Sequence, residues 1–152
     1  MLPEDHLDAL NELIAFLEEQ PILPADIAKS KNKAFMQEVF SKMEGSGSNF
    51  GGAAGALPHL NRPDAQDYVR SIANDLLEQV KITRRCAEAW FDHGEHPAPG
   101  YPWRITVILR KDKNFEAEKL FLEAYCKHFY NTLGTTDAKI AERAVKVGAY
   151  VL

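Results

Sequence analysis

The apolar residues of this chain recur at spacings of three and four, which is the period of an α-helix. The first stretch shows the pattern clearly, because Leu10, Ile14 and Leu17 share one face and Pro21 closes the helix. Similar stripes continue to residue 148, and no stretch alternates apolar and polar residues as a half-buried strand does. The pattern therefore predicts an all-α fold.

The breaks between stripes predict six helices. They cover about residues 3–20, 30–43, 63–94, 102–113, 115–133 and 135–148. Short turns predict antiparallel helical hairpins. We expect a single helical domain over residues 1–152. Within it we expect an N-terminal helix pair at 1–44, a flexible glycine-rich loop at 45–62 and a helical region at 63–152. The first helix of the pair is acidic and the second is rich in lysine.

Composition indicates a globular protein without a strong charge bias. The chain has 152 residues, 45% of them hydrophobic and 26% charged, and its net charge is −4. This balance predicts neither disorder nor general attraction to nucleic acid or anionic membrane. No apolar run reaches the ~18 residues of a membrane helix, and the first five residues include two acidic residues and no basic one. We therefore expect a cytoplasmic protein with no membrane partner, in which Cys86 and Cys126 are reduced core residues.

One segment resembles a known family. The stretch from Trp103 to Tyr125, within about residues 85–130, is similar to a tetratricopeptide-type helical hairpin. Ile105 and Leu109 match core residues of the first helix in such repeats. Phe115 matches the aromatic that opens the second helix, and Leu122 a packing position on it. The resemblance implies a tetratricopeptide-like, right-handed helical array in which Phe115 is buried with Leu109 and Leu122.

Three positions depart from the family pattern. Thr106 and Glu118 stand where small residues are usual, and Lys113 replaces the turn glycine. No second copy occurs near a spacing of 34, so one unit cannot stack into a solenoid by itself. The neighbouring helices are expected to flank it. The alternative is that an unrelated hairpin has reached the same packing.

The leading functional hypothesis is a protein- or peptide-binding helical scaffold or adaptor. Aromatic residues dominate binding hot spots, and Trp90, Tyr101 and Trp103 lie around one turn, with Arg104 beside them. These four residues are the predicted partner-binding site. The alternative for the aromatic residues is that they fill the core of the hairpin. The sequence does not determine the oligomeric state.

Two other functions stay open. The first is a nucleic-acid-associated accessory protein, which would use basic turns to contact phosphates. Its predicted basic patch comprises Lys81, Arg84, Arg85, Arg110, Lys111 and Lys113. The second is an enzyme with an unrecognised site in a helical bundle near His93 and Glu95. No nucleophile–base pairing can be assigned from the sequence, so a non-enzymatic role is favoured.

Neither a metal nor a cofactor is predicted. His93 and His96 lie three apart, but Gly94 and Pro97 mark a helix end, where charged and polar residues are common. The glycine-rich loop lacks the terminal Gly-Lys-Ser/Thr of a phosphate-binding loop, and no strand precedes it. Both features are therefore interpreted as structural.

Overall fold

The described part of the protein consists of helices joined by turns and loops. The computed structural model describes residues 1–42, 52–130 and 134–149, and within these ranges every regular element is a helix. The expected all-α fold is confirmed. The elements are α1 (Glu4–Glu19), α2 (Ala25–Lys42), a 3-10 helix (Pro58–Asn61), α3 (Ala65–Ser71), α4 (Leu76–His93), α5 (Gly100–Lys111), α6 (Phe115–Phe129) and α7 (Gly134–Lys146). In these ranges no helix is both long and apolar enough to span a membrane.

The long helix expected at residues 63–94 is two helices, so that prediction is wrong. The chain leaves the helical path after α3, where Ala73 N–H turns back to the carbonyl of Arg70 at 3.3 Å. Asp75 then accepts the backbone N–H of Glu78 through its Oδ1 at 3.2 Å. An aspartate that caps a new helix in this way competes with continuation of the old one. Asp75 marks the start of α4 in the sequence, but the spacing of apolar residues does not reveal it.

The chain divides into two compact units. The first consists of Met1–Ile22, Asn74–Lys81 and Pro99–Leu152, and the second of Leu23–Ala73 and Ile82–Ala98. Helix α1 belongs to the first unit and α2 to the second. The predicted pairing of these two helices, and the single domain with its flexible loop at 45–62, stay predictions. Residues 45–51 of that loop lie outside the described residues.

Helix α6 is the centre of the first unit. It packs against α1, α5 and α7. Phe121, Tyr125 and Phe129 follow one another at helical spacing, with ring centroids 5.7 and 4.8 Å apart, and each is at most 1% exposed. Leu13 and Leu17 of α1 are fully buried in the same unit. Full burial of such side chains stabilises by roughly 1.5–3 kcal/mol each, which makes this aromatic row a major support of the unit.

A buried carboxylate ties three helices of the first unit together. Glu118 of α6 is fully buried. The hydroxyl of Thr106 in α5 donates to it, and Arg143 of α7 donates to both carboxylate oxygens at 2.8 and 2.9 Å. The hydrogen bonds to Glu118 hold the pKa of Arg143 above its ordinary value. Thr106 and Glu118, two departures from the tetratricopeptide pattern, are thus hydrogen-bonded to each other.

The turn between α5 and α6 corrects one expectation. Phe115 is 52% exposed, so its predicted burial with Leu109 and Leu122 is wrong, although both leucines are fully buried. Phe115 is the first residue of α6, directly after Asn114, whose Oδ1 caps the backbone N–H of Ala117 at 3.2 Å. This cap sets the helix phase, and it leaves the first residue facing solvent. Lys113 has φ 58°, the left-handed conformation that glycine usually supplies at this position.

The second unit is built on the C-terminal end of α4. Lys31 and Asn32 of α2 donate to the carbonyls of Phe91 and His93 at 3.0 and 3.4 Å, which satisfies acceptors left open at a helix end. The rings of Phe35 and His93 stack at 3.8 Å. Gly94 ends α4 with φ 66°, and a Cβ there would lie 2.1 Å from the carbonyl oxygen of Ala28. The close approach of α2 therefore requires glycine at position 94.

Candidate functional site

A partly open cavity lies in the second unit beside Cys86. Its volume is about 120 Å³. It is lined by Gly52, Ala56, Leu57, Cys86, Ala89, Glu95, His96, Pro97 and Ala98. We call it the Cys86 cavity. Small and apolar residues predominate in its lining, and two polar side chains, Glu95 and His96, complete it.

The segment 52–57 forms one wall of the Cys86 cavity. The backbone N–H groups of Ala53 and Ala54 donate to Glu95 at 2.7 and 3.4 Å, one to each carboxylate oxygen. Arg85 Nε donates to the carbonyl of Ala56 at 3.1 Å. Two charged side chains thus position a segment with little secondary structure of its own.

Gly52 makes the contact with Glu95 possible. Its φ is 84°, and a Cβ at this position would lie 2.8 Å from Glu95 Oε1. Gly55 N–H donates to the carbonyl of Gly52 at 3.1 Å and closes a tight turn. Backbone N–H groups that converge on one carboxylate in this way form strong charge-assisted hydrogen bonds.

Cys86 contributes an apolar surface to the cavity and is not an activated nucleophile. Burial, with a smaller contribution from the nearby charge of Glu95, raises the pKa of its thiol to about 11. The backbone of Ala98 and the charge of Arg85 oppose that shift only in part. Since the thiolate is the reactive form, this thiol reacts slowly at neutral pH while it is buried. Cys126 in the first unit is similar, with a pKa raised by burial to about 12.

His96 links the cavity to one of the predicted partner-binding residues. Its ring meets that of Trp90 edge-on, with centroids 6.2 Å apart, and its Nδ1 lies 2.9 Å from the carbonyl oxygen of Pro97. Trp90 is half-buried. The indole therefore lies one residue away from the cavity lining, where its fluorescence can report on an occupant.

The size of the cavity limits what it can hold. Its volume of about 120 Å³ lies below the roughly 300–1,000 Å³ of pockets for drug-sized ligands and cofactors. A shallower depression of about 210 Å³ adjoins it and shares Ala56 and Ala89 with it. Arg85, Glu88 and Asp92 line this depression. The two spaces together suit one small side chain with its flanking peptide chain.

The other predicted partner-binding residues lie in the first turns of α5. Tyr101, Trp103 and Arg104 are half-buried. The guanidinium of Arg110 lies 5.6 Å from the Trp103 ring centroid, and Arg104 Nη2 donates to Asn74 Oδ1 at 2.7 Å. These residues belong to the first unit and Trp90 to the second. Their predicted clustering with Trp90 stays a prediction.

Several members of the predicted basic patch interact within their own helices. Lys81 lies 3.5 Å from Glu78, and Arg84 lies 3.8 Å from Glu88. Arg85 is bound to Ala56, and Arg110 covers Trp103. Lys111 at the end of α5 and Lys113 in the turn after it are both exposed. Exposed pairs of this kind stabilise by well under ~1 kcal/mol, so they neutralise charge more than they fix geometry. The nucleic-acid function stays a prediction.

The side chains near His93 are occupied by structural contacts. His93 stacks on Phe35, Glu95 binds the 52–57 segment, and His96 meets Trp90. Within residues 1–42, 52–130 and 134–149, no three or more His, Cys, Asp or Glu side chains converge as metal ligands would. In the structure His93 and Glu95 also support the Cys86 cavity, and the enzyme function near them stays a prediction.

Sequence reasoning missed the Cys86 cavity. The signal lay in small residues at positions 52–56 and 97–98, which were interpreted as loop and turn. Their partner across the cavity, Ala89, lies more than thirty positions away from the 52–56 stretch. Searches against models of protein families, curated proteins and solved structures found no match for this chain.

Proposed function

We propose that this protein is a peptide-binding helical scaffold that receives one small apolar side chain of its partner in the Cys86 cavity. The observation that carries the proposal is the Cys86 cavity itself, which is partly open, is lined mainly by small and apolar residues, and is smaller than the usual cofactor pocket. A buried anchor side chain in a fitted pocket is the usual source of affinity in such complexes. The partner's main chain continues into the depression beside Arg85 and Glu88.

Trp90 supports this proposal as a half-buried aromatic next to the cavity. It contacts His96, which lines the cavity directly. The chain has two tryptophans, Trp90 and Trp103. A Trp103→Phe variant therefore leaves Trp90 as the sole indole, and its emission should shift when a peptide enters the cavity.

The tetratricopeptide-like character of the α5–α6 hairpin is a further part of this proposal. It is supported by the buried positions of Ile105, Leu109 and Leu122 and by the left-handed turn at Lys113. The exposed Phe115 departs from the family pattern. We infer a divergent hairpin of this type, which serves as a helical support rather than as a repeated binding surface.

A peptide-display selection tests the proposed function. Peptides selected on the Trp103→Phe protein should share one small apolar residue, and replacing that residue with glycine should abolish the change in Trp90 fluorescence. Ala89→Leu fills the cavity from its wall and should also abolish binding. Ala138→Leu makes the same change at an exposed position of α7 and should leave binding intact.

Circular dichroism checks that the Ala89→Leu variant is folded. Protection of Cys86 from iodoacetamide by the bound peptide provides a second measurement, with Cys126 as the internal reference. Peptides that bind the wild type and a folded Ala89→Leu variant equally well, and leave Cys86 unprotected, would refute the proposal.

A further inference from the structure

The wall of the Cys86 cavity formed by residues 52–57 is attached in an unusual way. It contributes Gly52, Ala56 and Leu57 to the lining. Side chains from α4 and from the residue after Gly94 hold its backbone. Arg85 holds the carbonyl of Ala56, and Glu95 holds two N–H groups at the other end.

We propose that the segment 52–57 is a strap over the Cys86 cavity, and that Glu95 and Arg85 are positioning residues that set how often it opens. Local opening is expected where a segment has few buried apolar contacts and exposed backbone. Ala56 is 8% exposed and is the segment's anchor, whereas Gly55 is exposed and Gly52 to Ala54 are half-buried. Glu95 binds the segment before Ala56, at Ala53 and Ala54, and Arg85 binds Ala56 itself.

The hydrogen bonds that Glu95 accepts from Ala53 and Ala54 contribute most to keeping the strap closed over the cavity. A carboxylate that accepts backbone N–H groups makes charge-assisted hydrogen bonds, which are about twice as strong as neutral ones. Gly52 permits them, because a side chain at this position would push against Glu95 Oε1. Loss of either Glu95 or the glycine should therefore release the same end of the strap.

The strap controls access to the cavity. When it lifts, Gly52, Ala56 and Leu57 leave one side of the cavity, and Cys86 becomes accessible from solvent. When it closes, the occupant is enclosed between the strap and Ala89 of α4. This consequence for partners rests on the proposed function, whereas the opening motion is a property of the unliganded chain.

Alkylation of Cys86 by iodoacetamide measures the opening, with no partner present. In Glu95→Gln the Cys86 rate should rise by about tenfold or more, as expected for the loss of a hydrogen bond to a charged group. Arg85→Gln should raise the same rate. Cys126 should keep its rate in both variants. Glu38→Gln is the matched control and should keep the wild-type rate, because Glu38 is an exposed glutamate of the second unit that pairs with Lys42 at 3.1 Å.

Hydrogen exchange separates strap opening from unfolding of the second unit. In Glu95→Gln the amides of residues 52–57 should exchange faster, while those of Ile82–His93 in α4 keep their wild-type rates. A Cys86 rate equal to wild type would overturn the proposal. Faster exchange of α4 in parallel with the strap would overturn it as well.

A pair of glycine variants tests the role of Glu95 independently. Gly52 and Gly55 both have positive φ, 84° and 70°, but only a Cβ at Gly52 meets Glu95, since nothing lies within 4 Å of one at Gly55. Gly52→Ala should accelerate Cys86 alkylation more than Gly55→Ala does. Equal acceleration would assign the effect to backbone strain and overturn the role of Glu95.

A failed peptide selection would refute the proposed function and leave these measurements unaffected.

Discussion

Removal of Arg143 should destabilise the first unit strongly. Glu118 is fully buried, and Arg143 satisfies both of its carboxylate oxygens. Breaking a buried ion pair by removing one partner costs about 3–5 kcal/mol, because the remaining charge is left in a poorly solvating interior. The free energy of unfolding of a domain is roughly 5–15 kcal/mol, so Arg143→Ala removes a large part of it. The thermal midpoint should fall by about 6–20 °C.

The assay follows urea unfolding by Trp103 fluorescence in a Trp90→Phe background, which reports on the first unit. Lys139→Ala is the control, because Lys139 is exposed on the same helix, α7, and its loss should change stability by less than ~0.5 kcal/mol. The double variant Glu118→Leu/Arg143→Met should recover most of the loss, since apolar residues of similar volume replace buried pairs well. An Arg143→Ala variant as stable as the Lys139→Ala control would refute the reasoning.

Four further predictions follow from the structure. Phe115→Ala should lower the free energy of unfolding in urea by less than ~1.5 kcal/mol, because the ring is half exposed. A loss of ~3–5 kcal/mol would contradict this and would agree with the burial predicted from the sequence. Lys113→Gly should stabilise the protein by up to ~1 kcal/mol, since glycine adopts φ 58° without strain, and Lys113→Glu should not. Gly94→Ala should cost at least ~2 kcal/mol and accelerate hydrogen exchange in α2, because its Cβ would collide with the backbone of Ala28; unchanged exchange in α2 would contradict this. Burial lowers the pKa of His128, so the folded chain favours the neutral ring, and the resulting stability is present above pH 6.5 and is lost as pH falls below it. The pKa of His59 is lowered by burial as well, so the stability of His128→Gln should depend on pH less steeply than that of the wild type in this range.

The sequence by itself determined the helices and some of their ends. Leu10, Leu13 and Leu17 recur at helical spacing, and all three are fully buried in α1. The start of α6 at Phe115 was predicted correctly, because Asn114 interrupts two apolar stripes and caps the second. Such features depend on residues within about one helical turn of each other, and a linear pattern records them.

Only the tertiary structure shows which departures from the family pattern have a structural role. Thr106 and Glu118 are polar residues in apolar stripes, and the sequence shows them only as mismatches to a family. In the fold they meet each other and Arg143, which lies 25 positions from Glu118. The helix phase at Asn114, and not the type of residue, left Phe115 exposed.

Tertiary structure also created the candidate site. Glu95 meets Ala53 across 42 positions, and Arg85 meets Ala56 across 29. Neither pair shares a helix, so no periodicity relates them. A cavity is the space that small residues leave between distant segments, and its walls are defined only after those segments pack. The sequence therefore determined the helices of this protein, whereas the Cys86 cavity and the strap over it depend on contacts that only the folded chain makes.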